Sequence, residues 1–279
     1  MNSLVPVQDL RGKVALVTGA TRGIGRAIAL HLAGRGASIL GTCSSAASLN
    51  HIESLKQEVH QVYGSTALEP PRIFGLAANV LSSSYAQLIV DEIRTRFEGK
   101  LNIMVNNAAY TEFRPMGELD TDYVNRILVG NLQSLVLLME LLYKTGSIQP
   151  ESRIVNVSSD ASRTSIIPFP GIMLYASTKA AVESLTRSWA DILSLDKATF
   201  GTTVNSLSVG GTATETFLET TPPAIHDAAL KVLSKGKSIH SGLGLPDDVA
   251  HVAGLLVSET ARWINGSVVA ANGGAIKIM

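Results

Sequence analysis

Residues 18–25 run Thr-Gly-Ala-Thr-Arg-Gly-Ile-Gly and follow directly on an apolar run, Lys-Val-Ala-Leu-Val-Thr, at 13–18. Gly19, Gly23 and Gly25 thus fall where a buried strand turns into a helix, because apolar residues recur at helical spacing over 24–35. Glycine at such a turn permits positive φ and leaves room for another group to approach the backbone. The same alternation continues along the chain. Strand-like runs at 38–42, 72–76, 101–105, 153–158, 202–207 and 267–271 alternate with helical stretches at 49–62, 81–97, 121–144, 174–195 and 246–258. Strands apolar on both faces, separated by helices, imply a parallel sheet covered on both sides. The expected fold is α/β: a single-domain, Rossmann-like, doubly wound parallel sheet of about seven strands over residues 1–279. Only 210–244, with Pro222, Pro223 and many Ser and Thr, resists the pattern. So long a connection in a compact domain is usually functional, and 211–244 is expected to form a substrate lid.

Composition excludes other classes. The 279 residues hold 23 Lys+Arg and 23 Asp+Glu, a formal net charge of zero without basic blocks, so neither nucleic acid nor an anionic membrane is an expected partner. The apolar stretch at 132–142 is interrupted by Gln133 and Glu140 and is too short to span a bilayer. Hydrophobic residues make up 46 % of the chain, too many for disorder. The single cysteine, Cys43, allows no intramolecular disulfide, and the six histidines form no ligand pair, so no metal is expected. Residues 1–12 lack an apolar signal-type run, and cytoplasmic localisation is the expectation.

A glycine-rich strand-to-helix turn offers free helix N–H groups and a positive dipole end to a pyrophosphate. The expected occupant is a dinucleotide, bordered by Gly19, Thr21, Arg22, Gly23, Ile24 and Gly25. An NAD site usually ends its second strand with an acid on the ribose 2′-hydroxyl. Here that strand ends Gly-Thr-Cys-Ser-Ser at 41–45, with no acid. The hydroxyls of Ser44 and Ser45, beside Arg22, suit a 2′-phosphate, which favours NADP(H).

Farther along, the chain carries Asn-Asn-Ala-Ala at 106–109, Ser158-Ser159 at a strand end and Tyr-Ala-Ser-Thr-Lys at 175–179. Tyr175 and Lys179 are four apart on a helix and share a face. A nearby ammonium is expected to lower the phenol's pKa toward working pH, so that Tyr175 exchanges a proton with a carbonyl oxygen. With the glycine turn, these motifs resemble the short-chain dehydrogenase/reductase family of the single-domain type, over roughly residues 10–275. The likeness is nearest to ketone reductases, including those of polyketide and other secondary metabolism. It implies NADPH-dependent hydride transfer to the carbonyl of a small molecule and a homodimer or homotetramer with 121–144 and 174–195 at the interface, where Trp189 is either an anchor or core.

The resemblance also implies residue roles. Tyr175 is the general acid, Lys179 holds the nicotinamide ribose, and Asn131 distorts its helix and helps hold a water linked to the lysine. Ser159 polarises the carbonyl. Ser162 is the alternative, because 175 − 159 = 16 is longer than the usual interval and 175 − 162 = 13 is nearer to it. The longer loop around Pro168, Phe169 and Pro170 then borders the substrate, and Phe169 and Met173 either contact it or are ordinary packing. Asn79 and Val80 meet the adenine, Asn106 and Ala108 line the sheet edge by the cofactor, and Thr212 and Thr214 meet its carboxamide and pyrophosphate. Two departures stand out. Val209 occupies the place of a usual proline, which implies a looser turn. Ala-Asn-Gly-Gly at 271–274 replaces an acidic version and is expected to affect fold or subunit contacts rather than chemistry.

Apolar lid residues, among them Phe217, Leu218, Ile225, Leu230 and Val232, favour an uncharged, fairly apolar substrate. Three other readings are compatible with these residues. They are a same-fold enzyme of specialised metabolism acting on an imine or templating a cyclisation, a non-catalytic NADP(H)-binding scaffold or regulator, and a sugar-nucleotide epimerase or dehydratase.

Overall fold

The computed structural model describes residues 7–164, 170–220, 231 and 242–277. Seven strands form one parallel sheet in the order β3-β2-β1-β4-β5-β6-β7. They are β1 (Val14–Val17), β2 (Ser38–Cys43), β3 (Ile73–Ala77), β4 (Leu101–Asn106), β5 (Ile148–Ser159), β6 (Thr203–Val209) and β7 (Val268–Ala271). The helices are α1 (Gly23–Gly34), α2 (Leu49–Tyr63), α3 (Tyr85–Phe97), α4 (Thr121–Leu128), α5 (Ser134–Lys144), α6 (Met173–Leu195), α7 (Glu215–Thr220) and α8 (Pro246–Leu256). The expected sheet is therefore the observed one, and α7 is an addition to it.

Side-chain alternation along the strands builds two cores. Ala15 and Val17 of β1 face one way and pack with Ile28 and Leu32 of α1 and Val249 and Ala253 of α8. Val14 and Leu16 face the other way and pack with Ile89 and Ile93 of α3, Leu138 and Leu142 of α5 and Leu193 of α6. Trp189 is partly buried against this second core.

The helical run Thr121–Lys144 is 24 residues long and apolar enough by composition to cross a membrane. Here it is a core helix, burying Tyr123, Ile127, Leu138 and Leu142. It is also broken by one π-helical turn, Val129–Gln133, between α4 and α5. Gly130 lies in that turn, and a Cβ there would stand 2.6 Å from Cβ of Tyr110. The widened turn presents Asn131 inward.

The glycine turn is packed more tightly still. A Cβ on Gly25 would run into the carbonyl oxygen of Gly19 and the side-chain amide of Asn107. Both are held by other bonds, so neither can retreat. Gly25→Ala is expected to cost about 1–3 kcal/mol by overpacking. That corresponds to a fall in Tm of roughly 2–10 °C, measured by thermal melting against the parent protein. An unchanged Tm would show that the turn relaxes.

Candidate active site

A cleft of about 760 Å³ opens at the carboxyl edge of the sheet, where the strand order reverses between β1 and β4. Its floor is the glycine turn. Gly19 has φ of +68°, in the left-handed region that glycine tolerates. Asn107 Nδ2 donates to the carbonyls of Thr18 (3.0 Å) and Gly19 (3.1 Å). Thr18 Oγ1 accepts from the backbone N–H groups of Asn107 and Ala108, each at 3.0 Å. Thr42 Oγ1 accepts from Gly19 N–H at 3.2 Å. Three strands thus fix one turn.

The following helix start is open to an anion. Arg22, the N-cap residue of α1, makes no side-chain capping bond, and the first turn of α1 holds no acid. Its leading N–H groups and dipole face the cleft beside Gly19, Thr21, Arg22, Gly23, Ile24 and Gly25. Thr42, Cys43 and Ser44 border the cleft from β2 without a carboxylate, and Ala78 and Val80 border it after β3. The Arg22 guanidinium lies at the rim, paired with Glu219 of α7 at 2.6 Å. A cradle that a Cβ would fill, an uncapped helix and a rim arginine without an acid on β2 fit an NADP(H) pyrophosphate and 2′-phosphate.

Across the cleft, Ser159 ends β5, and its Oγ accepts from Ala161 N–H at 3.2 Å. Tyr175 and Lys179 project into the cleft from successive turns of α6. Lys179 is buried, donates from Nζ to the carbonyl of Val157 at 2.8 Å, and lies 5.5 Å from the Tyr175 ring centroid. Burial lowers the Lys179 pKa to about 8 and raises that of Tyr175 to about 12. The phenol is thus raised by loss of water, where the ammonium was expected to lower it. A phenol in that state stays protonated at neutral pH and suits donation.

Phe113 meets the Tyr175 ring edge to face at 5.9 Å. Its loop is braced by Glu112, which accepts from Tyr110 Oη (2.6 Å), Arg114 (2.8 Å) and Arg126 (3.2 Å).

Comparison with known proteins bears on this geometry. A family model described as enoyl-(acyl carrier protein) reductase matches residues 19–275. The short chain dehydrogenase penD of Penicillium thymicola is 33% identical over 275 residues, covering 95% of this chain and 92% of the relative. The chain is a short-chain dehydrogenase/reductase. The hydroxynaphthalene reductase arp2 of Aspergillus fumigatus is 31% identical over 264 residues, 92% of this chain and 90% of its own. The solved angucycline C-6 ketoreductase LanV with bound NADP superposes with a TM-score of 0.79 at 26% identity, covering 96% of each chain. This short-chain dehydrogenase/reductase is an NADP-dependent oxidoreductase, and its chemistry in general form is NADPH-dependent carbonyl reduction.

The enzyme's cleft gathers most of the residues singled out in its sequence. Gly19, Thr21, Arg22, Gly23, Ile24, Gly25, Ser44, Val80, Ala108, Ser159, Tyr175, Lys179, Thr212 and Thr214 all border it. Ser162 does not; its Oγ donates to Glu183 at 2.6 Å and to the carbonyl of Ser159 at 2.7 Å. Ser45 and Asn79 also stand outside the wall. Ser45 bonds Ser48, and Asn79 Oδ1 accepts from Leu81 N–H at 2.9 Å, heading a turn.

Asn106 is a correction. It points into the sheet and donates to Asn156 Oδ1 at 2.7 Å, so the next residue, Asn107, takes the cleft position. Asn131 sits in the π-helical turn, outside the cleft wall. Its amide accepts from Tyr110 N–H (2.6 Å) and donates to the Tyr110 carbonyl (3.1 Å) and Thr178 Oγ1 (3.4 Å). It clamps the loop after β4 onto α6. The turn after Val209 is not loose. Val209 pairs with Ala271 inside the sheet, Gly210 N–H donates to the Ala271 carbonyl, and Thr212 bridges Gly244. Phe169, Ile225, Leu230, Val232 and most of the expected lid lie outside the described residues. Met173 opens α6 but is not in the wall, which instead takes Ile172.

Sequence reasoning missed Thr18, Thr42 and Asn107, whose work is to hold a turn. It also missed buried Glu183, which accepts from Ser158 Oγ at 2.8 Å and pairs with Arg163 at 2.9 Å. Spacing did offer a signal for Glu183, because it lies one helical turn beyond Lys179 on the same face.

The Lys179 pKa yields a stability test. Its folded value near 8 lies below the ordinary value of 10.5, so between these pH values the unfolded chain binds more protons. Stability is then reduced below about pH 8 and recovers as pH rises toward 10.5. In nucleotide-free protein, the parent is expected to gain Tm relative to Lys179→Met from about pH 7.5 to about pH 10. A difference that does not change with pH would show that the amine is not desolvated.

Proposed function

We propose that this enzyme reduces the ketone of a fairly apolar small molecule, with Tyr175 as general acid, Ser159 as hydrogen-bond donor to the carbonyl oxygen, and Lys179 as proton and ribose partner. The carrying observation is that Ser159, Tyr175 and Lys179 open on the same cleft as the glycine cradle. Bound NADPH supplies the hydride. The chain's own contribution is to position the carbonyl and supply the proton. Ser159 and Tyr175 approach the oxygen from β5 and α6. A half-buried phenol held near pKa 12 gives up its proton only as negative charge develops on that oxygen. Lys179, titrating near pH 8 one turn away, returns a proton to the phenolate. Asn131 acts through others, by fixing the loop and helix on either side.

Val80, Phe113, Ile172, Val209, Phe217 and Ile276 border the cavity, which supports an apolar substrate. Among the described residues the charged groups in the wall are Arg22, Asp160 and Lys179. The whole chain is read as one unit, with 211–244 closing the cleft, supported by strands at both ends of the chain sharing one sheet. A homodimer or homotetramer belongs to the same reading. Leu137 and Tyr143 of α5 and Ile192 and Leu195 of α6 are exposed, and Tyr143 Oη donates to Asp196 just beyond α6 at 3.2 Å. So does a cytoplasmic site, supported by the single buried free thiol of Cys43.

The test is NADPH oxidation by purified enzyme with uncharged bicyclic ketones and with charged ketones such as acetoacetyl-CoA. Turnover of the apolar set is expected, and turnover confined to the charged set would overturn the substrate reading. Tyr175→Phe should lower kcat about 10²–10⁴-fold with NADPH affinity retained. Ser159→Ala should lower it about 10²-fold, and Ser162→Ala less than about tenfold. Equal losses at both serines would leave Ser159 without its assignment.

Arg22→Ala should weaken NADPH more than about tenfold and NADH less than about threefold, as loss of a charge-assisted phosphate contact requires. Fluorescence titration with each nucleotide measures this, and equal weakening would remove the 2′-phosphate from Arg22.

A further inference from the structure

The end of β7 carries a buried polar clasp that the reaction as described does not use. Asn272 and Asp160 are both buried. Asn272 Nδ2 donates to Asp160 Oδ1 at 3.2 Å and to the carbonyl of Ile276 at 2.9 Å, while its Oδ1 accepts from Gly274 N–H at 2.9 Å. Ser208 Oγ of β6 donates to the same Asp160 oxygen at 3.0 Å. Asp160 directly follows Ser159. One cluster therefore ties together the ends of β5, β6 and β7. It is closely packed, since a Cβ on Gly210 would lie 2.7 Å from Cβ of Asn272. Gly273 and Gly274 have φ of +62° and +77°, which reverses the chain, and Ala275 and Ile276 then border the cleft.

We propose that the Asn272–Asp160 clasp holds residues 273–277 as a fixed wall of the substrate site, with Ile276 a specificity-determining residue. This rests on the ketone-reductase reading and adds a structural determinant of substrate size. Both ends of the Asn272 amide are required. A carboxylate at 272 would still accept from Gly274, but would set a like charge against Asp160 Oδ1 and leave the Ile276 carbonyl without the amide N–H that it accepts from. Acceptors left against each other in a buried site favour release of the segment. The departure at 272 thus bears on the cleft as well as on the fold.

The test compares the parent, Asn272→Asp, the double variant Asp160→Asn with Asn272→Asp, and Ile276→Ala. Readouts are amide exchange across 273–277, Kd for NADPH, and KM and kcat for a monocyclic and a bicyclic ketone. Asn272→Asp is expected to speed exchange about tenfold or more and raise KM for the bicyclic ketone about tenfold, with kcat and NADPH affinity within about twofold. The double variant should recover part of both losses, because the amide introduced at 160 then donates to the carboxylate introduced at 272. Ile276→Ala should raise KM for the bicyclic ketone more than for the monocyclic one without changing exchange. No exchange response, no recovery in the double variant, or equal KM changes for both ketones would overturn the wall. A parent enzyme that binds NADPH but reduces neither ketone would overturn the underlying function as well, whereas a parent that reduces both but shows none of these responses overturns the wall alone.

Discussion

The hydrogen bonds that seat β5 between β4 and β6 hold the cleft together. In that register Asn106 lies opposite Asn156 on one side, and Ser159 lies opposite Val209 on the other. A slip of one residue would turn Ser159 into the sheet and bring Ser158 to its place, because strand side chains alternate. The buried groups around β5 oppose such a slip. Asn156 donates to Thr186 Oγ1 at 2.8 Å, and Ser158 to Glu183 at 2.8 Å. Lys179 Nζ bonds the Val157 carbonyl, so the lysine that faces the cleft also anchors α6 to the strand that carries the serine.

Burial governs the electrostatics of the site more than pairing does. Tyr175 and Lys179 are shifted in opposite directions by the same cause, loss of water. Each is thereby pushed toward its neutral form, so neither has an ordinary value at working pH. The cost of keeping the amine there is offset by the bond to Val157 and by dense packing around α6. At the rim the balance differs. Arg22 and Glu219 are well solvated, and an exposed pair of that kind contributes little to stability. On the proposed assignment of Arg22 to the 2′-phosphate, exchanging Glu219 for that phosphate costs little.

Much of this arrangement is legible in the chain because its signals are local. Glycines at 19, 23 and 25 report a turn, four-residue spacing reports that Tyr175 and Lys179 share a face, and an amide within an apolar helix reports the irregular turn at Asn131. Other features are invisible locally because their partners are distant. Whether Asn106 or Asn107 faces the cleft depends on where β4 ends. The choice between Ser159 and Ser162 depends on Glu183, 21 residues from Ser162. Asn272 and Asp160 are 112 residues apart, so a departure that looks peripheral in the sequence bonds a residue of the cleft wall.

Element order, the parallel sheet, the nucleotide cradle and the helix bearing Tyr175 and Lys179 are readable from the chain alone, since periodicity and spacing act over a few residues. Which of Ser159 and Ser162 faces the cleft, how Tyr175 and Lys179 are shifted, and that Ala275 and Ile276 join the wall emerge only in the packed fold. Those outcomes depend on which distant groups are buried together. Desolvation and long-range hydrogen bonds are properties of the packed chain, and no short stretch of residues carries them alone.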